Sequence, residues 1–365
     1  MANPTQTVFI LGAGASKECG APLMGEFLDA AHDLMLLGQT NGADEDFQRV
    51  FKWVAALKQT HSMSNLDIQN IESVFSALEM SKILNCFSRI NASDKSNSEI
   101  DEYEKTVASL RKVIAITLEN KTAIKSTNQP NILYLRYAEF SDLIEDLTKK
   151  VTPHHVVTII SFNYDLTLDY ALIHRGKDKN KISYEYCLEE KNKELLPLLK
   201  LHGSLNWFHC EKCKKIITPI PRAETEIDKN GTYYITKIKA HAVCPKCRNT
   251  LSNEPIIVPP TWNKNSHYDK ISHVWSHSAE KLSMAENIFV IGFSLPETDS
   301  FFKYLYGLGT VGSSHFKRFW VFNPDETVKQ KFQSILGPLA DKRFRFFPTR
   351  FSKATSEILI NFKRN

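Results

Sequence analysis

No stretch of this chain approaches the run of about 18 apolar residues that a membrane-crossing helix needs. Its opening, Met1 to Thr7, also lacks a basic segment followed by an apolar one. Both absences lead to the expectation of a cytoplasmic protein. Blocks of like charge are missing too. The 46 Lys and Arg stand against 41 Asp and Glu, and the resulting +5 is scattered along 365 residues, too weak an excess to support direct nucleic-acid binding. There are no internal repeats and no long low-complexity tail, and Lys177 to Lys181 reads as an exposed turn. Glycine is sparse, 14 positions in all, so places where two glycines stand close together carry information. Of seven cysteines, Cys19, Cys86 and Cys187 are scattered and four form two Cys-x-x-Cys pairs. In a reducing compartment that pattern favours a metal over disulfides.

What is present has the composition of a globular protein, 42% hydrophobic and long enough for two or three domains. Thr7 to Leu11 is a short apolar, β-branched run that feeds Gly12-Ala13-Gly14-Ala15-Ser16, the pattern of a buried parallel strand leading through a tight turn into a helix. From residue 28 to 150 apolar residues recur at helical spacing, as in Ile71, Val74, Phe75, Leu78 and Val107, Leu110, Val113, Ile114. No strand is expected within this helical insertion, and Asn91 to Glu102 reads as a solvated loop. After Pro153 strand-like runs return at Val156 to Ser161, Leu198 to Leu201, Ile288 to Ile291 and Phe319 to Phe322. The alternation predicts an α/β fold with a Rossmann-like doubly wound parallel sheet. It is built from residues 1–27 and 151–350, with 351–365 as a C-terminal helix or tail.

The second interruption, residues 208–255, holds Cys210, Cys213, Cys244 and Cys247 in turn-rich sequence. Two such knuckles present four thiolates to one tetrahedral ion, and a closed four-thiolate set is structural, so a zinc-ribbon module with structural Zn2+ is expected. The 30 residues between the pairs exceed the usual gap and leave room for an extra hairpin, with Thr232 to Ile238 as one strand. His209 and His241 flank the knuckles and read as neighbours of the site, not ligands.

Polar residues follow several of the strands. Gly12 and Gly14 suit the approach of a pyrophosphate to a helix N-terminus, but position 17 is Lys17 where a dehydrogenase fingerprint has its third glycine. Asn163 and Asp165 follow one strand and His202 another. Taken singly, the first two read equally well as helix caps, and the histidine as a buried hydrogen-bonded residue. In order along the chain, Gly12-Ala13-Gly14-Ala15-Ser16, Asn163-Tyr164-Asp165, Leu201-His202-Gly203, the cysteine pairs and Gly292-Phe293-Ser294-Leu295 together resemble the sirtuin (silent information regulator) superfamily, and in particular its bacterial NAD-consuming, anti-phage defence branch.

That resemblance implies NAD as substrate. It assigns Asn163 to the nicotinamide ribose and its attacking water, Asp165 to the nicotinamide amide, and His202 to the role of general base. Gly12, Ala13, Gly14 and Ser16 would line the phosphates, Gly292 and Ser294 would form a second phosphate-side loop, and Asn323 would meet the adenosine ribose. Where deacetylases carry Gly-Ile-Pro-Asp-Phe-Arg, this chain reads Gly20-Ala21-Pro22-Leu23-Met24-Gly25, which favours an NAD glycohydrolase over a protein deacylase. A non-catalytic ADP-ribose or nucleotide-binding assembly protein is the third reading. An unrestrained NAD-depleting enzyme would harm its own cell, so the same reading leads to the expectation of a homo-oligomer restrained until a separate ATPase partner or a phage-derived activator releases it.

Overall fold

Apolar runs rich in β-branched and aromatic residues make strands buried on both faces, and such strands pair in parallel at the centre of this molecule. The structure, a computed structural model, describes residues 4–363 apart from 61–65, 88–89, 91–98, 123, 127–135, 153, 174–180, 190–194, 220–223, 228–232, 238–242, 253, 259–264, 297–298 and 311–315. In chain order the strands are β1 (Thr5–Leu11), β2 (Ile124–Ser126), β3 (His155–Ser161), β4 (Tyr184–Glu185), β5 (Leu196–Lys200), β6 (Phe208–Cys210), β7 (Lys215–Ile217), β8 (Glu224–Ile227), β9 (Tyr233–Lys237), β10 (Asn287–Ile291), β11 (Arg318–Phe322) and β12 (Phe344–Phe347). One seven-stranded sheet has the order β12-β11-β10-β1-β3-β5-β4 with every pairing parallel. The chain winds outward from β1 through β3 to β5 on one side, with the short β4 at that edge out of chain order, and outward from β10 on the other, so the strand order reverses between β1 and β10. This is the doubly wound, Rossmann-like arrangement expected from the sequence, and the crevice beyond the strand ends at such a reversal is where open α/β sheets take ligands.

Register brings the motifs level. Leu11 stands opposite both Ile291 and Ser161, Ile291 opposite Phe322, and Ser161 opposite Lys200. The residues that follow (Gly12, Phe162, Leu201, Gly292 and Asn323) therefore leave the sheet along one edge.

The helices are α1 (Ala13–Lys17), α2 (Phe27–Leu36), α3 (Asp44–Thr60), α4 (Ile71–Ile83), α5 (Glu99–Lys121), α6 (Arg136–Lys149), α7 (Thr167–Ile173), α8 (Asn265–Ser283), α9 (Ser300–Gly309), α10 (Thr327–Gln333), α11 (Pro338–Asp341) and α12 (Phe351–Lys363). Helices α2 to α5 pack on one another, with Trp53 stacked on Phe87 at 5.3 Å. Helix α6, which periodicity alone groups with them, packs instead on β3 and α12. Its fully buried Phe140 sits edge-on to Phe9 of β1 at 5.1 Å and against Phe351 at 5.6 Å. Truncating a core phenylalanine of this kind costs about 3–5 kcal/mol.

Two other sequence readings change, and a third, for the C-terminal segment, is narrowed. Glu99 to Glu102 open helix α5 and are not part of a solvated loop, while 91–98 lie outside the described residues. The insertion does hold a strand: β2 pairs antiparallel with β9, which pairs antiparallel with β8, in a separate three-stranded sheet. The hairpin between the cysteine pairs is thus present and joined to the insertion. The C-terminal segment is a helix anchored to the core, since the backbone N–H and hydroxyl of Ser352 each donate to the Glu18 carboxylate at 3.0 Å. The Lys177 to Lys181 turn falls almost wholly outside the described residues. Among the described residues, no helix is long and apolar enough to cross a membrane.

Candidate functional site

Beyond the reversal point lies a cavity of about 660 Å³. Its walls include Ala13, Gly14, Ser16, Asn163, Asp165, His202, Gly292, Ser294 and Asn323, which brings together residues from the ends of β1, β3, β5, β10 and β11. Gly12 is the one assigned residue that acts from beneath. A Cβ there would fall 2.5 Å from the Phe293 Cα, and one on Gly292, itself at φ +65°, would fall 2.3 Å from the Ala15 nitrogen. The two turns can touch only because both are glycine. Above them Phe162 and Phe293 stack with ring centroids 4.1 Å apart, giving the cavity an apolar floor against which the His202 ring stands edge-on at 5.1 Å.

Asn163 is held by donors alone. Its Nδ2 donates to the Gly12 carbonyl and to the Ser16 hydroxyl, both at 2.9 Å. The reversed amide would set oxygen against the Gly12 carbonyl oxygen, so the network fixes the orientation and leaves Oδ1 as the acceptor to offer a ligand. Ser16, assigned to the phosphates from the sequence, is buried and shares its hydroxyl between Asn163 and the Tyr137 hydroxyl of α6 at 3.0 Å. Burial pushes the Tyr137 phenol well above its usual range, so it stays a neutral hydrogen-bonding group.

Asp165 lines the cavity and also opens α7, its Oδ1 accepting from the Thr167 backbone N–H at 3.0 Å and from the Thr167 hydroxyl. The helix-capping alternative weighed for it is therefore realised, while Asn163 does not cap. The Asp165 backbone carbonyl accepts from Lys200 Nζ at 2.7 Å. Lys200 is buried, donates to Ser204 Oγ at 2.9 Å and forms an ion pair with Asp169 at 2.8 Å, which keeps its charge compensated. Asp169 also accepts from the hydroxyls of Tyr184 and Tyr186. This network locks the turn after β5 that carries His202. Asn323 spans the other side, donating to the Phe293 carbonyl at 3.4 Å and accepting from the Asp325 N–H at 3.0 Å.

Two buried acidic residues of the cavity are not among those singled out from sequence. Asp299 places Oδ1 3.0 Å from His202 Nε2, with both side chains buried. Glu72, buried on α4, lines the cavity with Ile71, and α5 adds Ile114 and Leu118, so the insertion forms part of the wall. Burial first, and then the charges of Asp299 and Glu72, push the Tyr164 phenol well above its usual range. A larger cavity of about 960 Å³ lies between β4 and β7, beside the cysteine module, and holds none of the residues assigned to catalysis.

The cysteine module is a second centre. Cys210 and Cys213 bracket the turn between β6 and β7, and Cys244 and Cys247 bracket another. In each case the next residue, Lys214 or Arg248, adopts positive φ and returns its N–H to the carbonyl of the first cysteine. The four sulfurs lie within 4.8 Å of one another, with Cys210 to Cys247 at 3.5 Å and Cys213 to Cys244 at 3.9 Å. Four ligands at 2.3 Å from a tetrahedral zinc stand about 3.8 Å apart, so the donor set fits the ion. Burial opposes ionisation of Cys244, yet the N–H groups of Cys247 and Lys246 facing its sulfur bring the thiol down to about 7, toward the thiolate a metal needs. His209 turns away to Glu211 at 2.9 Å, and His241 lies outside the described residues.

No protein-family model matches the chain, and no curated protein matches it. Similar solved structures include a Sir2 homologue in complex with ADP-ribose, at 16% identity over 98% of this chain and 92% of that one, with a TM-score of 0.40. A Sir2 protein bound to a propionylated peptide matches at 13% identity over 98% and 94%, with a TM-score of 0.37. A Sir2 complex with a p53 peptide and NAD+ matches at 15% over 98% and 94%, also at 0.37. The fold assignment rests on the strand order and register described above.

Proposed function

We propose that this chain is a sirtuin-like NAD glycohydrolase that cleaves NAD+ with water to nicotinamide, ADP-ribose and a proton. The observation that carries the reading is the convergence of Asn163, oriented so that Oδ1 is its remaining acceptor, with His202 in one buried cavity at the strand-order reversal. The leaving nicotinamide is a pyridinium that departs neutral, so no general acid is required. The transition state has a cation-like ribose, and positioning supplies most of the rate. Asn163 Oδ1 accepts a hydrogen bond from the attacking water or a ribose hydroxyl, and neutral His202 takes the proton as water bonds to the anomeric carbon. The turns at Gly12 to Gly14 and at Gly292 to Ser294 face the pyrophosphate, with Asn323 on the adenosine side. Buried Glu72, Asp165 and Asp299 give this end of the cleft a negative environment suited to a developing cation.

In the cell we assign the enzyme to depletion of NAD in anti-phage defence, as a homo-oligomer restrained until an ATPase or phage-derived partner releases it. Chromatographic assay of nicotinamide release, with the protein alone and with its activating partner, is expected to show cleavage. Asn163→Ala or His202→Ala should each lower it by roughly 10²- to 10⁴-fold. Undiminished release from both folded variants would refute the assignment. An acetylated peptide in the same assay tests protein deacylation by the same cleft.

A further inference from the structure

His202 and Asp299 come from different elements, and the second has an unusual setting. Asp299 is the N-cap residue of α9, a place where an aspartate commonly accepts from the first free helix N–H groups. Here the side chain makes no capping hydrogen bond. It turns instead to His202, where Oδ1 lies 3.0 Å from Nε2 with both groups buried. A carboxylate in its ionised form only accepts hydrogen bonds. The imidazole nitrogen facing it must then carry the proton. The ring is also confined sideways, edge-on to Phe162 at 5.1 Å and beside the Tyr164 ring at 5.9 Å, and Tyr164 is itself tied through its hydroxyl to the Val258 carbonyl at 2.7 Å.

We propose that Asp299 is the positioning residue for His202: it forgoes capping α9 to fix the Nε2–H tautomer, which leaves Nδ1 as the nitrogen that accepts the proton. The inference rests on the reading of His202 as proton acceptor. It also makes that reading more specific, because a base with the wrong tautomer presents a donor where an acceptor is needed. No atom of Asp299 enters the reaction, and the proton stays on the imidazole until it passes to solvent.

The test uses the full chain with ¹⁵N-labelled histidine. In substrate-free wild type, long-range ¹H–¹⁵N spectra are expected to show His202 protonated on Nε2. Asp299→Ser keeps a residue that caps well but removes the carboxylate. It should fold, lose the single tautomer, and lower kcat for nicotinamide release by roughly 10²-fold with KM within about 2-fold. Asp299→Glu should recover the tautomer and part of the turnover. Should Asp299→Ser fail to fold, Asp299→Asn replaces it in both measurements. Retention of the wild-type tautomer and turnover by the folded Ser or Asn variant overturns the proposal, because a mere cap would behave that way. A wild-type protein that releases no nicotinamide removes the reading of His202 as base, and the tautomer measurement still decides whether Asp299 sets the ring.

Discussion

At the residue scale the two ends of the sheet handle polar side chains in opposite ways. Beyond the carboxyl ends they surround a cavity, whereas at the amino ends they are closed on one another. Arg318 donates to Asn287 Oδ1 at 3.1 Å, Asn287 Nδ2 donates to the Thr7 hydroxyl at 3.2 Å, and the Thr7 hydroxyl pairs with His155 Nδ1 at 2.6 Å. The bonds run in sequence across β11, β10, β1 and β3 and end on His155. Burial, followed by the Arg318 charge and opposed by Glu286, brings His155 down to about 4 from its ordinary 6.5. The folded state thus favours the neutral ring. Its contribution is complete above about pH 6.5 and is lost progressively as pH falls toward 4. The loss is of the order of 2 kcal/mol once partial hydration is allowed for. In urea titrations His155→Gln, whose amide oxygen can accept from Thr7, should be less pH-sensitive, so its gap from wild type narrows between about pH 7 and 5. A constant gap would remove His155 as the cause.

The same scale shows what the sequence could tell. Asn163 and His202 stand out only as members of an ordered series of motifs, because each taken singly has an ordinary structural use. Asp299 and Glu72 do not stand out, because each has a complete local explanation, one as a helix cap and the other as an acid in the first turn of α4 beside the capping Asn70. Only the folded chain shows that Asp299 declines its cap. Ser16 has a further use that the sequence does not show, since its place in a glycine loop gives no sign that its hydroxyl supports Asn163.

At the scale of elements, the strands of the main sheet were legible because they are continuous apolar runs, and the metal module because ligand spacing is fixed by coordination geometry. Strand β2 was not legible. It has three residues, and its partner β9 lies more than a hundred positions away, so no local pattern records the pairing. Helix α6 was read as helical correctly, but periodicity cannot say which neighbour a face will meet. The cysteine module has a small core of its own, Phe208, Cys210, Cys244 and Leu251, too little apolar surface to hold its turns without cross-linking. Elemental analysis of protein purified under reducing conditions is therefore expected to find one zinc per chain. Cys244→Ser or prolonged chelation should lower the thermal midpoint before it lowers nicotinamide release. Zinc-free protein of undiminished thermal stability would eliminate the site.

At the scale of the whole molecule, the insertion belongs to the cleft. Helices α4 and α5 close one wall of the cavity through Ile71, Glu72, Ile114 and Leu118, so the sheet alone does not define what can enter. The two halves of the sheet meet at the reversal point through Gly12 and Gly292, backbone against backbone. A steric clash inside a protein is commonly relieved by a smaller neighbour, and lineages drift through such compensations. Here the neighbour at each position is main chain, which no substitution can shrink. The two glycines consequently form a lock without a spare key: a side chain at either one has no second-site suppressor in the other, and a selection for revertants of Gly12→Ala should return glycine itself.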